Sequence, residues 1–62
     1  MKKKLAYDIT LDGNIVGDSG EAEFDTQVFA VVDANNFIDK LLEEYPNRKF
    51  GEFKVNVYEI EG

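Results

Sequence analysis

Leu5, Tyr7, Ile9 and Leu11 alternate with Ala6, Asp8 and Thr10, and this period of two predicts a strand over residues 5–11 with one apolar face. Asp12-Gly13 follows, a pair suited to the positive φ angles of a short turn, and Gly17, Asp18, Ser19 and Gly20 extend a breaker-rich stretch to Glu21. Two readings are open here: a tight hairpin at Asp12-Gly13 with a bulge at Gly17, or a longer loop from Asp12 to Gly20. The turn pair favours the first. The second extended segment is expected from about Ala22 to Val32, where Phe24, Val28, Phe29, Val31 and Val32 are of the aromatic and β-branched types that strands prefer. Near its end this segment is apolar on both sides.

Asp33 is the expected N-cap of a helix in which Ala34, Phe37, Ile38, Leu41, Leu42 and Tyr45 recur at helical spacing until Pro46 ends the pattern. The last strand is expected over residues 52–61. There Phe53, Val55 and Val57 alternate with Lys54 and Asn56, and Tyr58 and Ile60 then appear on the other face. The order strand, strand, helix, strand predicts an α+β fold. A hairpin, a right-handed crossover through the helix and a central first strand give a three-stranded antiparallel sheet, ββαβ in order 2-1-3, with the helix packed on one face. Residues 1–62 read as a single small domain with no linker or internal repeat.

Charge changes the picture more than length does. The 62 residues hold 13 acidic against 7 basic side chains, a net charge of -6, and no histidine or cysteine. Three of those basic residues are Lys2, Lys3 and Lys4; residues 5–62 keep four basic against thirteen acidic, a net of -9. Such a body repels nucleic acid and anionic membrane, so neither is expected as a direct partner. Lys2-Lys3-Lys4 leads into Asp8 within a few residues, which does not fit a signal peptide, and a cytoplasmic protein is expected.

The missing residue types argue against catalysis. Ser19 is the one serine, in a glycine-flanked loop and without a histidine to activate it. Asp12, Asn14, Asp18 and Glu21 are oxygen donors of the kind calcium takes, but their spacing is not that of an EF-hand and turns favour the same residues. Gly13, Gly17 and Gly20 do not precede a helix as a phosphate loop would. No catalytic, cofactor-binding or metal residue is expected, and no cofactor.

Binding is the better expectation, with two surfaces to carry it. Glu21, Glu23 and Asp25 alternate with Ala22 and Phe24, so on a strand they would project from one face about 6.8 Å apart, close to two steps of a phosphate backbone. Asp39 and Glu43 share a helix face with Glu44 beside them, and the last two oppose the helix dipole. These six carboxylates would engage a basic protein surface. The second surface is apolar: Phe29, Val31, Tyr58 and Ile60 are left over on the two outer strands, bordering a trough on the bare sheet face. They would serve a homodimer or a partner, unless a β-bulge returns them to the core.

In size, charge and element order the chain resembles the small acidic inhibitors that phages and mobile elements direct at host polymerases, nucleases or restriction systems. That resemblance implies a non-catalytic protein binding a basic host partner and transfers no individual residue. A homodimeric structural protein associating through the uncovered sheet face is the alternative.

Overall fold

A computed structural model describes residues 4–60. Three strands and one helix follow in the order β1 (Lys4–Leu11), β2 (Asn14–Asp18), α1 (Gln27–Glu44) and β3 (Phe53–Ile60), with a 3-10 turn at Phe50–Glu52. The sheet is antiparallel throughout in the order β2-β1-β3, so the ββαβ architecture has its first strand at the centre.

Asp12 and Gly13 both adopt positive φ, 56° and 83°, which makes the β1–β2 connection the two-residue turn whose twist matches the flanking strands. Pairing therefore resumes at once, with Leu11 opposite Asn14 and Thr10 opposite Ile15. Ile9 then faces Gly17, leaving Val16 as the extra residue of a bulge that packs against the core. A Cβ at Gly17 would lie 2.7 Å from the Phe37 ring, so the glycine lets α1 press onto this edge of the sheet.

The second strand is thus 14–18 and not 22–32. Residues 19–26 form a loop that touches the sheet again only where Phe24 bridges Leu5, through bonds of 2.9 and 3.0 Å. Val28 to Val32 are helical: Thr26 caps α1 by accepting the Phe29 N–H at 3.2 Å, and Asp33 lies inside the helix instead of at its start. Strand propensity lost to packing here, because Ala30 and Ala34 continue the spacing of Ile38 and Leu41 and all four are buried. Length points the same way. An 18-residue helix is about 27 Å long, as is an eight-residue strand, so α1 is long enough to run the length of β1.

Tyr7, Ile9 and Leu11 on β1 meet Ala30, Ala34, Ile38 and Leu41 on α1 and Phe53 on β3 to form the core. Tyr7 is only 1% exposed, and the alanines opposite leave room for its ring, which also meets Phe24 at 5.8 Å. Its hydroxyl donates to Asp33 Oδ2 at 2.6 Å. Burial, and then this bond to a carboxylate, push the phenol well above its ordinary pKa. At the other end Tyr45 packs edge-on against Phe53 at 6.1 Å. Arg48 ties the helix exit to the hairpin turn by donating to Asp12 Oδ2 and, at 2.9 Å, to Glu52 Oε1. No helix among the described residues is long and apolar enough to cross a membrane.

Candidate protein-binding surfaces

The acidic segment 21–25 is held as a loop on the edge of β1. Ser19 donates its N–H to the Tyr7 carbonyl at 3.0 Å and accepts the Tyr7 N–H on Oγ at 3.1 Å. Gly20 then turns at positive φ with its N–H on Asp18 Oδ1. Glu21, Glu23 and Asp25 are exposed, but no continuous strand carries them, so the phosphate-like spacing has no regular backbone behind it. Asp25 is also engaged internally: Lys4 Nζ lies 2.8 Å from its Oδ1, and that bond raises the lysine pKa.

Asp39, Glu43 and Glu44 lie on the second half of α1, all exposed. Glu43 and Glu44 occupy its last turn, which contains no basic residue to answer the negative end of the dipole. Phe24 meets Leu5 at one end of β1, whereas at the other the helix exit meets Phe53, the partner of Leu11, through Tyr45. Segment 21–25 and the helix end are therefore separated by the length of α1, about 27 Å. The structure does not bring the six carboxylates into one patch.

The four apolar candidates are divided as well. Phe29 and Val31 belong to α1, where Phe29 is 63% exposed, so they do not border the sheet trough expected from a strand over 22–32. Tyr58 and Ile60 do lie on the face that α1 leaves bare, opposite Ala6 and Lys4 of β1. The middle of that face is polar: Asp8 stands directly opposite Asp18 on one side and Asn56 on the other. Like charges directly opposite are destabilising, and this pair was not legible in the sequence, where Asp18 belongs to a breaker-rich stretch with no assigned partner. Ile15 of β2 is exposed as well and was not among the apolar candidates.

One further surface appears only once α1 is extended back to Gln27. Val28, Val32, Asn35, Asp39 and Glu43 follow one another at intervals of four, three, four and four residues, a single ridge on the side of the helix away from Ala30, Ala34, Ile38 and Leu41. Val28 and Val32 are 68% and 52% exposed. The helical spacing of these five was readable in the sequence, but the strand assignment for 22–32 hid it.

Charge pairing separates the carboxylates into two groups. Asp12, Asp25 and Glu52 face cations inside the molecule. The Lys49 backbone N–H, and then Arg48, hold Glu52 below the usual carboxylate range. The carboxylates of Glu21, Asp39, Glu43 and Glu44 make no ion pair or hydrogen bond among the described residues. Asp12 is turned to Arg48 and Asp18 to the Gly20 N–H, so the oxygen donors around the hairpin are directed at protein groups. Comparison with protein-family models, with curated proteins and with solved structures returned no match.

Proposed function

We propose that this protein is a non-catalytic binding module whose carboxylates engage a basic surface of another protein. The observation that supports this most is the set of exposed, internally unanswered carboxylates Glu21, Asp39, Glu43 and Glu44. They start hydrated, so a partner's cations must offset their desolvation, but no internal ion pair has to be broken for them to bind. Inhibition of a basic host protein, as in the small acidic inhibitors the chain resembles, is one form of this activity. Mimicry of a regular phosphate row is left out, since it required a strand at 21–25.

The test is capture of proteins from a lysate by the full chain at low and high salt. Basic proteins retained at low salt, released at high salt and lost with the variant Glu21→Gln/Asp39→Asn/Glu43→Gln/Glu44→Gln are the expected result. Retention indifferent to these four substitutions, or no basic protein retained, would remove the reading. A homodimer through the bare sheet face has less to rest on: two of its four apolar residues are elsewhere, and Asp8 and Asp18 occupy the middle of that face. Sedimentation over a concentration series is expected to report a monomer.

A further inference from the structure

The outward ridge of α1 is unusual in both of its halves. In the first, Val28 and Val32, with Phe29 beside them, expose apolar surface where a solvated helix would carry polar residues. In the second, Asp39 and Glu43 repel one another at four-residue spacing, and Glu43 opposes the dipole. Neither half contributes to the core, which lies on the other side of the helix. Both costs are removed by one kind of neighbour: a helix whose own face is apolar along one half and basic along the other.

We infer that this ridge is the docking site for an amphipathic basic helix of a partner protein, with Val28, Phe29 and Val32 receiving its apolar residues and Asp39 and Glu43 its lysines or arginines. The inference rests on the acidic binding reading above and names the partner's chemistry. Charge complementarity selects the occupant. A second copy of this chain would bring valines and carboxylates against the same groups, and a neutral helix would leave Asp39 and Glu43 desolvated without a cation. The ridge spans 15 residue steps from Val28 to Glu43, about 22 Å, which suits a partner helix of four turns. Helix-in-groove recognition uses apolar anchors at this i, i+4 spacing, with charges setting the register.

The experiment uses the full chain and synthetic helical peptides as long as α1, 18 residues, with leucines on one face of one half and lysines on the same face of the other. Both orders are made, for parallel and antiparallel docking, together with a scrambled peptide of identical composition. Titration by amide chemical shifts is expected to show one patterned peptide binding at least about tenfold tighter than the scrambled one, with shifts centred on Val28, Val32, Asp39 and Glu43. Val28→Ser/Val32→Ser should bring affinity down to the scrambled level while the far-ultraviolet spectrum stays unchanged, and Glu43→Lys should weaken binding and flatten its salt dependence. Equal binding of patterned and scrambled peptides, or shifts centred on residues 21–25, would overturn the ridge and leave the acidic reading standing. If neither peptide bound at low salt, the ridge would be overturned, and the lysate capture described above would decide the acidic reading separately.

Discussion

On its inner side α1 sets Ala30, Ala34, Ile38 and Leu41 against the sheet, while along its outer side the same helix carries Val28 and Val32 and then Asp39 and Glu43. The inner row follows from packing: alanines lie in the half that accommodates the Tyr7 ring, and larger side chains follow toward Leu11 and Phe53. The outer row follows from no requirement of the fold. Valine is a weaker helix former than the residues usually found on a wet helix face, and a carboxylate in the last turn works against the dipole. The two faces thus answer to different constraints: the inner face to packing, and the outer face, under the proposal above, to a partner helix.

The strongest challenge to this division is to substitute side chains on each face of α1 and compare the losses. Ile38→Ala should lower unfolding free energy by about 2–5 kcal/mol in denaturant titration, since Ile38 is fully buried and the substitution leaves a cavity in the core. A much smaller loss would mean that the inner face is not the structural one. Tyr7→Phe comes next, at about 0.5–1.5 kcal/mol, for the lost bond to Asp33.

The same substitution makes a pH prediction. The Tyr7 phenol has a raised pKa in the folded protein, so its contribution is fully present below its unfolded value near 10.0 and is lost as pH rises beyond it. Wild-type stability should therefore decline more steeply above pH 10 than that of Tyr7→Phe. Parallel curves would remove the buried phenol from the account. Glu52 acts at the other extreme: its lowered pKa gives stability present above the ordinary carboxylate range and lost as pH falls through the folded value.

Outer-face substitutions should do little or run the other way. Glu43→Lys is expected to stabilise the free protein by about 0.3–1 kcal/mol, because a cation replaces a carboxylate at the helix C-terminus. Val32→Ser should change stability by less than about 0.5 kcal/mol, since Val32 is exposed and the two residues have similar helix propensity. If Val32→Ser cost as much as Ile38→Ala, the outer ridge would be part of the fold and not available to a partner.

The architecture was legible from the chain, but one of the elements composing it was misplaced. The alternation of Leu5, Tyr7, Ile9 and Leu11 identifies the central strand, and Asp12-Gly13 identifies the turn. A two-residue turn also obliges the partner strand to begin at Asn14, a consequence hidden because Ile15 and Val16 are its only large apolar residues. The richer segment from Phe24 to Val32 drew the strand assignment instead. Its valines prefer strands in isolation, but the burial of Ala30 and Ala34 in the core and the Thr26 cap favour the helix. The surfaces inherited that displacement: Glu21, Glu23 and Asp25 went to a loop, and Phe29 and Val31 to the helix.

The sequence by itself determined what depends on local pattern and chemistry: the central strand, the turn, the αβ composition, the acidic body and the absence of histidine and cysteine. Hydrophobic period, turn propensity and formal charge are properties of neighbouring residues, so they can be read without a fold. The tertiary structure decided where α1 begins, which carboxylates are answered by Lys4 and Arg48, and which side chains share a surface. Those outcomes depend on contacts between distant segments, where burying an alanine face against the sheet outweighs the strand preference of the valines beside it.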